Sequence, residues 1–375
     1  MTLPDHLKHI FLQFATHGEL LEAVPYGHGH INDTYLGRYQ TASGTAHFIH
    51  QRINHLVFKE PDKVMENIER VTRYAREQIM AAGGDPERET LTLVPTHTGC
   101  SYYQTSQGEY WRTYRHIDHA RTYEVAQNLQ QVRHAARAFG KFQKMLNNLP
   151  GPRLHETIPD FHHTRKRFDA FLQILQADPA NRASQVKDEI TFLLQREPMA
   201  GVITEHLANG TLPERITHND TKLNNVMIDD QTGEGLCVID LDTTMPGSVL
   251  YDFGDLVRMG TATAAEDEID LSQVHVSLPL FHELANGYLE AAGDFLTPLE
   301  RDLLVFAGRL ITFEQAIRFL GDYLNGDTYY KIQRPEHNLD RARVQIKMIS
   351  EMEQKQAEME AVIQRCQVGQ GSSIH

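Results

Sequence analysis

Residues 215–229 read RITHNDTKLNNVMID. Asp220 is followed five residues later by Asn225. Twenty residues after Asp220 comes Asp240, which closes the apolar run LCVID. Phosphoryl transfer needs a carboxylate beside the attacking hydroxyl. It also needs hard oxygen ligands, here an amide and a second carboxylate, to hold Mg²⁺ against the phosphates. The order of these three side chains matches those needs. A plain polar turn between two strands also favours Asn and Asp, so the rest of the chain has to decide.

His218, Asp220 and Asn225 keep the spacing of the H-R-D-L-x-x-x-N loop of protein kinases. Lys222, two residues past Asp220, can meet a transferring phosphate as a point charge. A second stretch competes for the metal role. YDFGDLVR, Tyr251 to Arg258, contains D-F-G, the letters that mark the magnesium aspartate of protein kinases. That aspartate should end the short strand after the catalytic loop, as Asp240 does. Asp252 instead opens an amphipathic segment beyond the Pro246-Gly247 turn, where an aspartate commonly caps backbone N–H groups. Asn225 and Asp240 are therefore read as the metal ligands, with His218 and Asp252 placed behind them rather than on the metal. Asp242 shares one side of an extended segment with Asp240. It is either a water-mediated metal ligand or a contact to the acceptor.

Working outward, PDKVMENIERVTRYAREQIMAAGG has the 3.6-residue period of a helix, with Val64, Met65, Ile68 and Val71 in one stripe. Before it, LEAVPYGHGHINDTYLGRYQ and SGTAHFIHQRIN read as strands. After it, LTLVPT, SYYQT and YWRTYRHI read as a three-strand meander. From about His119 the chain turns helical, with a long helix over 123–150 and others near 164–176, 184–208, 272–292, 297–324 and 340–365. The expected architecture is α+β with two lobes. A small antiparallel-sheet lobe covers residues 1–118, and a larger, mainly helical lobe covers 119–375. A cleft between lobes is a usual ligand site.

The chain has 375 residues and a formal net charge of -14. Neutralising nucleic-acid phosphates takes Lys/Arg-rich surface, so no nucleic-acid partner is expected. Cys100, Cys237 and Cys366 are far apart and odd in number, which suggests reduced thiols rather than disulfides or a CxxC metal site. The N-terminus lacks a signal-peptide profile and no 18-residue apolar run occurs, so no membrane span is expected and a cytoplasmic location is. The 21 histidines form no HExxH motif.

The segments YGHGHINDTYL, YWRTYRHIDH, RITHNDTKLNNVMID, VIDLDTTMPGSVLYDFGDLVR, IRFLGDYLNGDTYY and PEHNLDRARVQIKMISEMEQK run over nearly the whole chain. In that order they resemble the aminoglycoside phosphotransferase/choline kinase-like superfamily, and within it the bacterial N-acetylhexosamine 1-kinases. The resemblance implies a protein-kinase-like bilobal fold. It also implies transfer of the γ-phosphate of ATP, with Mg²⁺, to the 1-hydroxyl of N-acetylglucosamine or N-acetylgalactosamine. Asp220 would orient that hydroxyl and take its proton, with Lys222 beside it. Asp252 would brace the catalytic loop from below. Arg318 and Tyr329 match positions that bind the sugar, with Asp220, Asp242 and Asn32 as further acceptor contacts.

On the nucleotide side, the resemblance implicates Gly27, Gly29 and His30 in the turn over the phosphates, and Arg115, His116 and Ile117 in the link between lobes. Protein kinases carry a lysine on the third strand, where this chain has HFIHQRIN. Strand alternation leaves two registers. Either Ile49 and Gln51 face the nucleotide, or His50 and Arg52 do. Glu66 and Glu69 are either the helix partners such a cation would seek or part of a solvated helix face. For Arg318, a local ion pair with Asp322 is the alternative to a ligand contact. Two other functions stay open: a kinase for homoserine, choline or an aminoglycoside, and a nucleotide-binding pseudokinase. The enzyme is expected as a monomer or weak homodimer.

Overall fold

The computed structural model describes residues 4–27 and 31–371. Gly29 and His30 lie outside the described residues. The chain opens with helix α1 (Asp5–Phe11), then strands β1 (Glu19–Pro25), β2 (Asp33–Thr41) and β3 (Gly44–Ile53), and helix α2 (Pro61–Ala81). Strands β4 (Tyr103–Gln104) and β5 (Tyr110–Arg115) complete an antiparallel sheet in the order β1-β2-β3-β5-β4. The predicted stripe on α2 is its buried face: Val64, Met65, Ile68 and Val71 are all fully enclosed. Under the sheet, Phe11, Phe14, Tyr39, Phe48 and Trp111 form a separate small core.

The expected meander is thinner than its sequence suggests. LTLVPT pairs with β5 through only two N–H groups, Val94 to Thr113 and Arg115 to Thr92. Pro95 has no N–H to extend the ladder. The helical part also begins later than the periodicity suggested. A short strand β6 (Ala120–Arg121) comes first, and Asn128 caps helix α3 (Leu129–Leu146) by accepting from Gln131 N–H. Helix α4 spans Thr164–Ala177. The single helix expected over 184–208 is instead α5 (Lys187–Leu194) and α6 (Val202–Ala208). Pro198 lies between them in a short 3-10 turn, since it lacks the donor an α-helix needs.

Strands β7 (Arg215–Thr217), β8 (Val226–Asp229), β9 (Gly235–Val238) and β10 (Met245–Gly247) follow, then helix α7 (Val249–Gly260). They form two small sheets, β6-β8-β9 and β10-β7. Helices α8 (Leu278–Ala292), α9 (Pro298–Asp302), α10 (Leu304–Leu324), α11 (His337–Gln354) and α12 (Gln356–Gly371) close the fold. One continuous core runs from α2 through α3, α7, α8, α10 and α11. Among the described residues no helix is long and apolar enough to cross a membrane, and all three cysteines are free.

Helices α3 and α8 meet through glycines. A Cβ at Gly140 would stand 2.8 Å from the Tyr288 carbonyl, and one at Gly287 would overlap the Arg133 carbonyl. Backbone cannot yield as a flexible side chain can. Gly287→Ala should therefore destabilise the protein by about 1–3 kcal/mol, the usual cost of overpacking, as measured by chemical denaturation. Gly326→Ala, where an added Cβ meets nothing, provides the comparison for backbone strain without a clash.

Candidate active site

The loop between β7 and β8 has little backbone pairing of its own, and helix α7 supplies the partners. Asp252 accepts from His218 N–H (2.9 Å) and Asn219 N–H (2.6 Å), and Asp255 accepts from Thr221 N–H (3.0 Å). The remaining N–H, of Asp220, points at His218 Nδ1 (3.3 Å). Thr221 Oγ1 donates to the Asp252 carbonyl (2.8 Å), and Gln143 Nε2 donates to the Asp252 carboxylate (2.6 Å). His218 in turn donates from Nε2 to the Ile239 carbonyl (2.8 Å), fixing the loop to the strand that leads to Asp240. Asn219 sits at φ 65° and Asp240 at φ 58°, a conformation that Asn and Asp tolerate better than other non-glycine residues.

Three carboxylates converge here. Asp220 pairs with Lys222 Nζ (2.8 Å) and accepts from Asn225 Nδ2 (3.0 Å). Burial alone would raise Asp220, but Lys222 and then His218 and Asn225 outweigh it and hold the group below its usual range. Asp220 is thus a carboxylate at neutral pH. Asn225 Nδ2 also donates to the Asp220 carbonyl (2.8 Å), while Ile239 N–H donates to the Asn225 carbonyl (2.9 Å). With its amide nitrogen committed to Asp220, Asn225 keeps Oδ1 as a ligand atom. Asp240 opens onto solvent and, among the described residues, its carboxylate receives no hydrogen bond. Partial desolvation in the cleft, then repulsion by Asp242 and Asp220, raise it to about 6. An amide oxygen and a carboxylate crowded by like charge suit a hard divalent cation, so the residues present fit Mg²⁺.

Sequence reasoning missed the residue facing this cluster from the sheet, Arg112 on β5. Its guanidinium is 1% exposed and forms a two-pronged pair with Asp242, one prong at 3.0 Å. It also donates from Nε to Gln51 Oε1 (3.1 Å), its direct neighbour in the β3–β5 ladder. Asn32 Nδ2 donates to Asp242 (2.6 Å), and Thr157 Oγ1 to the Asp242 carbonyl (2.8 Å). The two β3 registers separate cleanly. Gln51 faces Arg112 and the cluster. His50 stacks on Phe11 in the small core, and Arg52 pairs with Asp33 and Glu109. Glu66 pairs with His155 instead of a strand cation, and Glu69 has no ion pair among the described residues. The signal for Arg112 was a charge in the interior of the aromatic-rich strand YWRTYR, which must find a partner when buried.

The remaining candidates are spread along the cleft. Gly27 adopts φ +77° with open space where a Cβ would be. Arg115 turns away to Glu87. His116 meets Asp118, and Ile117 joins Met227, Cys237 and Ile239 in an apolar cluster. Arg318 does not pair with Asp322, contrary to the local ion pair weighed from sequence. Asp322 instead accepts from Thr328, Tyr329 and Tyr330 N–H, while Arg318 lies 6.0 Å from the Tyr329 ring and 5.6 Å from the Tyr330 ring. Between this group and the catalytic loop lies a chain that sequence reasoning did not find. His162 contacts the Asn219 carbonyl (3.3 Å) and Glu314 (2.9 Å), and Arg167 approaches Glu314 (3.5 Å). Burial would raise Glu314, but His162 and Arg167 hold it at about 2. Arg167 itself is lowered by burial and by the neighbouring Arg318.

A cavity of about 880 Å³ lies elsewhere, behind the β8–β9 hairpin between α2 and α3. Donor chemistry rather than volume marks the site. Two outcomes follow from its geometry. Asp252→Ala strands three buried donors and should cost about 3 kcal/mol or more in chemical denaturation, while removing no metal ligand. Asp240→Asn should raise the thermal midpoint at pH 8, because it removes like-charge repulsion. That gain should fade as pH falls through about 6, where the native carboxyl takes up its proton.

The phosphotransferase enzyme family (APH) matches residues 22–293. Solved structures give the same architecture end to end. A microcompartment-associated aminopropanol kinase superposes with a TM-score of 0.62 at 13% identity, covering 95% of this chain and 98% of that one. An aminoglycoside phosphotransferase from Alicyclobacillus acidocaldarius gives 0.60 at 11% identity, covering 98% and 97%. Spectinomycin phosphotransferase, solved with ADP and spectinomycin, gives 0.56 at 13% identity, covering 92% and 98%. The fold is the kinase-like α+β fold these enzymes share, and with the family profile spanning more than half of its length, this chain belongs to the APH phosphotransferase enzyme family.

Proposed function

We propose that the protein is an ATP-dependent kinase that transfers the γ-phosphate to the 1-hydroxyl of N-acetylhexosamines, giving sugar 1-phosphate and ADP. The observation that carries the kinase reading is the held geometry of Asp220, Lys222 and Asn225 opposite Asp240. Asp220, kept ionised, orients the acceptor hydroxyl and takes its proton. The anomeric hydroxyl is more acidic than an ordinary alcohol, so orientation contributes more than basicity. Lys222 places a positive charge beside the transferring group. Asn225 Oδ1 and Asp240 hold Mg²⁺, which when bound neutralises charge on the phosphates. The lobes, taken as residues 1–118 and 119–375, meet at Arg115–Asp118. Adenine lies between Ile49 of the sheet and the Ile117, Met227 and Ile239 cluster.

Arg112 stands in for the third-strand lysine. Its charge is delivered from the neighbouring strand and oriented through Gln51. For the acceptor, the preference for a sugar rests on the resemblance and on charge. Arg167 and Arg318 place two guanidiniums at the acceptor end, which disfavours cationic aminoglycosides and choline but not a neutral N-acetylhexosamine.

The test is turnover with ATP, Mg²⁺ and a panel of N-acetylhexosamines, choline, homoserine and kanamycin, reading ADP and phosphorylated product. N-acetylhexosamines should turn over, EDTA should stop the reaction, and Asp220→Ala should lower kcat by about 10²–10⁴-fold. Turnover confined to choline, homoserine or kanamycin would move the protein to another acceptor class. Bound ATP with no turnover on any acceptor would make it a pseudokinase. Arg112→Met should raise the nucleotide KM more than Gln51→Ala does. Equal, small effects in steady-state kinetics would remove Arg112 from the phosphate role.

A further inference from the structure

A second donor cluster lies outside the carboxylate site, where strand β3 meets the segment after β5. His47 Nδ1 is 3.5 Å from Asp118 Oδ1, and His116 Nδ1 is 2.8 Å from the same oxygen. All three donor atoms lie within 4.8 Å of one another. The imidazole rings meet edge-to-face, with centroids 5.7 Å apart. Both imidazoles present Nδ1 to one carboxylate oxygen, and only His116 is close enough for a full hydrogen bond.

We propose that His47, His116 and Asp118 bind a borderline divalent transition metal of the Zn²⁺ type. Bonds of about 2.0–2.1 Å in a tetrahedron set ligand edges of about 3.3 Å. The His47–Asp118 distance already matches that edge. The His116–Asp118 pair has to open by about 0.5 Å relative to this edge, a shift available to Asp118, whose side chain is 60% exposed. The backbone holds the two residues side by side, since His116 N–H donates to the His47 carbonyl (3.1 Å). The other ring nitrogen of His116 faces Tyr26 Oη (3.4 Å), the kind of outer contact that orients metal-binding imidazoles. Two nitrogens and one carboxylate suit Zn²⁺, Co²⁺ or Ni²⁺ better than Mg²⁺. Exposure of Asp118 leaves a fourth position for water. A metal here ties β3 to the link between lobes, apart from the cation held by Asn225 and Asp240.

The experiment is Co²⁺ and Zn²⁺ binding to the full-length protein with no nucleotide present, read by Co²⁺ visible absorption, equilibrium dialysis and thermal midpoint. With 21 histidines in the chain, stoichiometry is decisive. Wild type should bind one ion more tightly than all others, with Co²⁺ bands of low-coordinate N/O ligation and a higher midpoint. His47→Gln and Asp118→Asn should each weaken that ion by at least about tenfold and leave the metal-free midpoint near wild type. The proposal fails if both variants bind the first equivalent as wild type does, or if wild type shows only weak multi-site binding. Neither outcome depends on turnover, so kinase activity is judged separately.

Discussion

Four consecutive N–H donors, of residues 218 to 221, must be satisfied where no strand or helix runs. Their side-chain partners turn a polar loop into a rigid platform. Asp252 and Asp255, one turn apart on α7, hold three of them, and His218 holds the fourth. A buried donor left unmade costs more than a formed bond contributes, so the loop and the start of α7 stand or fall together. Everything chemical depends on this. The loop carries Asp220, Lys222 and Asn225, and His218 passes its position on to Ile239 and so to Asp240. The core beneath α7, with Gly254 against the Ala307 carbonyl of α10, keeps the platform at a fixed height.

The same physics determined what could be read from the sequence. A helix with strong periodicity and clear sequence punctuation, such as α2 between Pro61-Asp62 and Gly83-Gly84, was legible because its burial is local and repeats every turn. The breaks within 184–208, 297–324 and 340–365 were less so, since periodicity continues across a proline turn or a one-residue kink. The spacing from Asp220 to Asn225 to Asp240 was legible because the chain itself sets it. The place of Asp252 at a helix start, where it accepts from the loop N–H groups, was likewise legible from local order. The Arg112–Asp242 pair was not legible, because its partners lie 130 positions apart and only folding brings them together. His162 and Glu314 were hidden for the same reason. A lone carboxylate within the apolar run LITFEQAIRF was their one visible sign.

Alternation settled the third strand once its neighbours were in place. His50 is drawn into the aromatic core by Phe11, Tyr39 and Thr113, and burial pushes its ring down to about 3. That commitment leaves Ile49 and Gln51 to face the cleft. The strand thus turns no cation of its own toward Asp242, and the adjacent strand supplies one.

The buried pair of Arg112 and Asp242 carries a requirement of electroneutrality. Two opposite charges enclosed together are tolerable, and either one alone is costly. Asp242 stands between the guanidinium on one side and Asp240 on the other. If a phosphate draws Arg112 away, Asp242 loses its counter-charge in a site already crowded with carboxylates. Only a cation arriving with the phosphate restores the balance. In the proposed kinase, a polyphosphate carrying its own divalent ion would enter this cleft as a neutralising unit, while the bare anion would leave a charge without compensation.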